Sequence, residues 1–432
     1  MYKETIDGTL YFDGVNTVEL AHKYGTPLYV VSVNEIEERL KEFKDCFLDK
    51  YPNTRLAYAS KAFLPLAMCK ILEREGMCLE VVSGGEIYTA MKAGFPAERM
   101  EFNGNNKGLD ELELAIEYGV GRIIIDSEDE VPLIDSICRK KGKHVKALLR
   151  VNPDVTVHTH KHMSTGNKDS KFGIDISNGA LSRVIRSVQE SEFVELLGFH
   201  FHVGANIYEN DPYLEALDSI FGIIKRVKEK DDFIVSEINV GGGFAATFTK
   251  DKVHPPYSYY LEPMMERIEA FSAELGIERP AVVIEPGRAV IGEAGISLYT
   301  VGSIKKINNE KKFVSVDGGM TDNIRVALYE AEYEGCLANR MDEPCDDKVT
   351  VCGKCCESGD IIARDIMIPK AVRGDIFALY TTGCYCYAMS SNYNKIGKSA
   401  VVFIKDGRDQ LVVKRQTYDD IIRNEIIPEV VL

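Results

Sequence analysis

Strand-type and helix-type segments alternate eight times between residues 55 and 287, and this rhythm constrains the fold more than any other feature of the chain. The strand-type runs are RLAYAS, MCLEVV, RMEFN, RIIID, VKALLRV, LLGFHFHV, EINVGG and AVVIEPG. Between them lie segments such as GGEIYTAMKAG and GLDELELAIEYG, with apolar residues at three- and four-residue spacing and glycine at the stop. Eight such units predict α/β architecture, a parallel (β/α)8 barrel. A doubly wound open sheet alternates too, but eight units in about 230 residues suit a closed ring better.

After residue 290 the character changes. ISLYTVGSIKKIN, KKFVSVDGG, DKVTVCGKCCESGDIIARDIMIP, GDIFALYTTGCY and SAVVFIKDG are strand-rich and joined by glycine-containing turns. TLYFDG and PLYVVS near the start look like strands of the same domain. The expected division is a barrel over 34–287 and a mostly β domain built from both chain ends, 1–33 and 288–432. A chain of 432 residues, too long for one ordinary core, suits two domains.

Net charge is −15, which argues against nucleic acid and anionic membranes as partners. The longest apolar runs are strand-sized, and the start, MYKETIDGTLYF, lacks an export signal. Eleven cysteines, an odd number, then suggest reduced thiols in a cytoplasm. Cys352 and Cys355 form a CxxC pair and Cys384 and Cys386 a CxC pair. Buried free thiols are the commoner reading of these, and no metal is expected.

Active sites of such barrels lie at the C-terminal strand ends, so those ends should carry unusual residues. Strand one runs into YASKAF, where period-2 alternation groups Lys61 with Ala57 and Ala59 and suggests a buried lysine with space beside it. The plain alternative is an edge lysine reaching water. Glu80 precedes VVSGGE on strand two, and Arg150 and Asn152 end strand five. Strand six reads HFHVGAN, placing His200 and His202 on one face. Strand seven runs into Gly241, Gly242 and Gly243, whose N–H groups suit an anion, and strand eight ends in Glu285, Gly287 and Arg288.

Singly, each has an ordinary explanation: a turn, a rim carboxylate, a core histidine. Together, a lysine anchor, a phosphate cradle, a flat-ring partner and an acid for a pyridine nitrogen are the parts of a pyridoxal 5'-phosphate site.

The order and spacing of YASKAF, VVSGGE, HTHKHMSTGNKDSKFGI, HFHVGAN, NVGGGF, EPGRAVIG, DGGMTDNIRVALYEA, CCESGD and TTGCYCYAMSSNYN carry a resemblance over nearly the whole chain. The sequence resembles the fold-type III pyridoxal-phosphate-dependent decarboxylases, and within them the diaminopimelate decarboxylases. That resemblance implies decarboxylation of meso-2,6-diaminopimelate at its D centre to L-lysine and carbon dioxide, the last step of lysine biosynthesis. It implies that Lys61 carries the cofactor, His202 stacks on its ring, Gly241 to Gly243 and the Gly287–Arg288 segment bind its phosphate, and Glu285 pairs with the ring nitrogen. It further implies that Arg288, Arg325 and Tyr329 grip the distal carboxylate and Glu357 the distal ammonium. By the same resemblance Tyr385 would contact cofactor and substrate, and Cys356 would donate the proton. In the family Cys356 and Glu357 come from the second subunit, which implies a homodimer with shared active sites.

The residue chemistry agrees. A substrate with an amino acid group at each end needs planar arginine for the far carboxylate and an anion for the far ammonium. Arg325 and Tyr329, four apart, fall on one side of a helix. Three positions depart from the family pattern: Ala205 where serine is usual after HVG, Glu80 where aspartate is usual, and Cys384 where the family has alanine. The alternatives are an ornithine, arginine or carboxynorspermidine decarboxylase, a racemase, or a catalytically silent homologue. The last is disfavoured because lysine, glycines and thiol are all present.

Overall fold

The computed structural model describes residues 2–153, 170–307 and 311–431. The HTHKHMSTGNKD part of one family motif, residues 158–169, lies outside them. Two compact units are present, one of residues 39–246 and 254–290, the other of residues 1–38, 247–253 and 291–432.

The first unit is a closed ring of eight parallel strands in chain order. These are β1 (Thr54–Ala59), β2 (Cys78–Val81), β3 (Met100–Phe102), β4 (Arg122–Ile125), β5 (Val145–Arg150), β6 (Val194–His200), β7 (Glu237–Asn239) and β8 (Ala281–Ile284). β8 closes onto β1 with Ile284 opposite Leu56. Between successive strands lie the helix-type segments of the sequence: α1 (Leu66–Arg74), α2 (Gly84–Ala93), α3 (Leu109–Tyr118), α4 (Glu130–Lys141), α5 (Ala180–Gln189), α6 (Asp211–Asp231) and α7 (Ser258–Leu275). Their periodicity is real packing: α5 buries Leu181, Val184, Ile185 and Val188, an i, i+3, i+4, i+7 face. α2 starts where the Ser83 hydroxyl accepts the Glu86 N–H. α2, α3, α4 and α7 stop at Gly94, Gly119, Gly142 and Gly276, as their sequences predict.

The second unit is mostly β. Its nine-stranded sheet runs Ile361–Ile368, Asp347–Cys352, Lys311–Val316, Gly295–Ile307, Leu28–Ser32, Ala400–Lys405 and Arg408–Val413, with Ile376–Leu379 and Gly335–Leu337 branching from it. Leu28–Ser32 is buried throughout, antiparallel to Gly295–Ile307 and parallel to Ala400–Lys405. Both ends of the chain therefore meet in one sheet. Its continuous apolar run suits a strand covered on both faces.

All eleven cysteines are free thiols, with Cys355, Cys384 and Cys386 buried and Cys356 exposed. Among the described residues no three His, Cys, Asp or Glu are grouped to hold a metal. Among them too, no helix is long and apolar enough to cross a membrane.

Candidate active site

Lys61 differs from its sequence expectation. β1 ends at Ala59, and Lys61 sits in a 3-10 turn, Ser60–Ala62, just beyond it. Its side chain is 45% exposed, with Nζ 3.9 Å from Glu80 Oε2. Strand alternation stops two residues short of it. The small neighbours have another purpose. A Cβ on Gly287 would lie 3.1 Å from the Cβ atoms of both Ala59 and Ala62. The Pro286 carbonyl also accepts the Ala59 N–H at 3.3 Å. The alanines admit the Pro286–Gly287 turn after β8, and the Ser60 hydroxyl ties its own 3-10 turn to the Glu80 carbonyl.

Glu80 is fully buried and neither carboxylate oxygen has a hydrogen bond. Burial pushes its pKa up, against the pull of Lys61. Glu285 behaves oppositely. It directly follows β8 and is 5% exposed. Burial alone would raise its pKa, but the charge and hydrogen bond of His200 outweigh this and hold it down at about 2. His200 Nε2 stands 3.1 Å from the Glu285 carboxylate, and the Asn239 amide donates to Glu285 Oε1 at 2.8 Å.

His202 lies just past β6, and its Nδ1 accepts the Gly242 N–H at 3.2 Å. Burial, then Lys61 and Arg150, lowers its pKa to about 3, so the ring is neutral at physiological pH. Arg150 is itself buried, its guanidinium 4.2 Å from the Phe172 ring centroid.

The three glycines are required by close backbone approach. A Cβ on Gly241 would meet the Phe201 carbonyl at 2.5 Å; one on Gly242 or Gly243 would strike the carbonyl of Glu285 or Gly204. Two of the three N–H groups are engaged internally, Gly241 with Asn239 Oδ1 at 2.9 Å and Gly242 with His202. Among the described residues, the Gly243 N–H is the one of the three without such a bond. Beside Ala205, Asn206 adopts φ +62° and buries an Oδ1 atom without a hydrogen bond. Arg288 is buried one residue beyond Gly287.

The second unit holds the other expected residues. Arg325 and Tyr329 bound one helical turn, Arg325–Tyr329. The Arg325 guanidinium lies 5.3 Å from the ring centroids of both Tyr329 and Tyr385, and its Nε donates to Tyr333 Oη at 2.9 Å. Cys356 and Glu357 are exposed on a turn whose backbone is tied by Asn394 Oδ1 to the Cys356 N–H at 2.8 Å. Buried Asp360 accepts the Cys355 N–H at 2.7 Å and the Met320 N–H at 2.6 Å, joining this turn to the DGGM loop.

Sequence reasoning missed His200 as the partner of Glu285, Tyr333, Asp360, and the pair Asn239 and Glu101. A signal existed for the last two: an acid or amide inside the short apolar runs MEFN and EIN is out of place in a plain barrel core.

A family model described as pyridoxal-dependent decarboxylase, pyridoxal binding domain, matches residues 18–292. The diaminopimelate decarboxylase of Bacillus subtilis (strain 168) is 45% identical over 97% of this chain and 95% of its own. That of Staphylococcus aureus (strain COL) is 41% identical over 97% of this chain and 98% of its own. The crystal structure of diaminopimelate decarboxylase from M. jannaschii in co-complex with L-lysine superposes with a TM-score of 0.93 at 32% identity, covering 100% of this chain and 99% of that one.

Proposed function

We infer the function from one premise: the chain belongs to the pyridoxal-dependent decarboxylases, and to their diaminopimelate decarboxylase branch. It is a pyridoxal-phosphate-dependent carboxy-lyase that converts meso-2,6-diaminopimelate to L-lysine and carbon dioxide. The observation that carries this reading is Glu285, buried yet ionised, following β8 while Lys61 follows the neighbouring strand β1.

The residues present fit the cofactor. Lys61 supplies an amine, Glu285 an anion for a protonated ring nitrogen, and His202 a neutral ring face. The unbonded polar atoms of Glu80, Arg150 and Asn206 are those a polar ligand would satisfy. Bound there, pyridoxal phosphate supplies the electron sink for loss of carbon dioxide.

The protein's part is positioning and proton placement. Lys61 Nζ anchors the cofactor covalently. Glu285 keeps a proton on the ring nitrogen, and His202 packs on the ring. The Gly241–Gly243 turn and the Gly287–Arg288 segment take the phosphate, with the Gly243 N–H as the turn's available donor. Arg288, Arg325 and Tyr329 orient the distal carboxylate, Glu357 the distal ammonium, and Tyr385 contacts both cofactor and substrate. Cys356 Sγ delivers the proton to the carbon that carbon dioxide leaves. This reading makes the protein a cytoplasmic homodimer in which each protomer lends Cys356 and Glu357 to the other's site.

Carbon dioxide release tests the reaction. Purified protein with pyridoxal phosphate should release it from meso-diaminopimelate, with lysine formed, and not from ornithine, arginine, lysine or carboxynorspermidine. Release from one of those instead overturns the roles of Arg325 and Glu357. For the shared site, inactive Lys61→Ala and Cys356→Ala proteins should recover activity when mixed and allowed to exchange subunits. No recovery would place Cys356 in the site of its own protomer.

A further inference from the structure

The barrel interior contains a strut of polar groups that the reaction as derived above does not use. Asn239, at the end of β7, is fully buried. Its amide nitrogen donates to Glu101 Oε2 at 2.9 Å and to Glu285 Oε1 at 2.8 Å, and its Oδ1 accepts the Gly241 N–H at 2.9 Å. Both amide hydrogens are thus engaged. Glu101 belongs to β3, four strands from β7 in a ring of eight, so the bond between them crosses the barrel.

We propose that Asn239, braced by Glu101 from the opposite wall, is a positioning residue that locks the Glu285 carboxylate and the glycine turn into one geometry. The inference rests on the cofactor reading, in which those two parts hold opposite ends of the same ring. A single amide then fixes the distance between the nitrogen end and the phosphate end.

The surroundings of Glu101 favour this role. Glu237, on β7, takes up the nearby arginines: Arg55 lies 2.6 Å from its Oε1, and Arg122 donates to both of its oxygens. Arg55 stays 3.9 Å from Glu101, whose Oε1 has no hydrogen bond. Burial, and then repulsion from Glu237, pushes the Glu101 pKa up to about 8. Near neutral pH it braces Asn239 as an uncharged acid, adding no second negative charge beside Glu285. The other titratable or charged groups whose fields reach Glu285 are His200, His202, Lys61, Arg150 and Glu80.

The test is a pH titration of the visible absorbance of the bound cofactor in full-length holoenzyme, with cofactor dissociation constants, kcat and KM alongside. Glu101→Met and Asn239→Leu remove the brace while roughly keeping volume. Both should move the midpoint of the spectral titration, weaken cofactor binding and lower kcat roughly 10–100-fold with KM little changed, the scale on which displaced supporting groups act. Glu101→Gln keeps an acceptor for Asn239 and should restore the wild-type midpoint. A merely structural role would lower thermal stability and leave the midpoint in place. If Asn239→Leu does not fold, Glu101→Met against Glu101→Gln carries the comparison. Wild-type midpoint, affinity and kcat in folded Glu101→Met would overturn the proposal. Absence of a visible cofactor band in the wild-type protein would overturn the cofactor reading itself, before any variant is compared.

Discussion

His200 Nε2 and the Glu285 carboxylate stand 3.1 Å apart in a barrel interior where two further buried acids, Glu80 and Glu101, are pushed toward their neutral forms. The histidine supplies the largest pull that keeps Glu285 low where burial raises Glu80 and Glu101.

Replacing His200 by Leu removes the largest pull against burial at Glu285, and its pKa rises from about 2. The acid limb of the kcat–pH profile should move to higher pH, and kcat at neutral pH should fall by roughly 100-fold, as for a lost positioning contact. An unmoved acid limb would mean that Lys61 and the Asn239 hydrogen bond hold Glu285 ionised without His200.

Stability should pass through a maximum with pH. The folded pKa of Glu101, about 8, lies above its unfolded value near 4.3, so its contribution is lost as pH rises between them. The folded pKa of His202, about 3, lies below its unfolded value near 6.5, so its contribution is lost as pH falls through that window. Thermal unfolding of Glu101→Gln should show less loss on the alkaline side than wild type, and the same loss on the acid side.

Gly242→Ala places a Cβ against the Glu285 carbonyl, which is backbone and cannot swing aside. The expected cost is about 3 kcal/mol or more, read as a lowered denaturation midpoint. Gly222→Ala on α6, where an added Cβ meets nothing within 4 Å, is the control and should be neutral or slightly stabilising.

Arg325→Lys removes the planar cation that lies 5.3 Å from the ring centroids of both Tyr329 and Tyr385. KM for meso-diaminopimelate should rise roughly 10–100-fold, matching about 1.5–3 kcal/mol for a hydrogen bond to a charged group. Cofactor absorbance should be unchanged. Tyr333→Phe, which removes only the hydroxyl that accepts from Arg325 Nε, should raise KM less.

The amino-acid sequence alone determined the eight-unit barrel, the helices with their glycine stops, and the sheet that draws in PLYVVS from the chain's start. It also located the strand-end residues. These are local properties: period 3.6, continuous apolar runs and glycine positions are written in consecutive residues. Even there the reach was limited, since alternation carried past Ala59 buried a lysine that a 3-10 turn leaves half in solvent.

Tertiary structure alone decided the rest. Ala59 and Ala62 are small because a turn more than 220 residues away packs on them. The glycine turn directs two of its N–H groups at Asn239 and His202. Asn239 reaches Glu101 because ring closure sets β7 across from β3. Which buried acid is charged depends on partners from distant strands, and neither period nor motif encodes who faces whom across a closed ring.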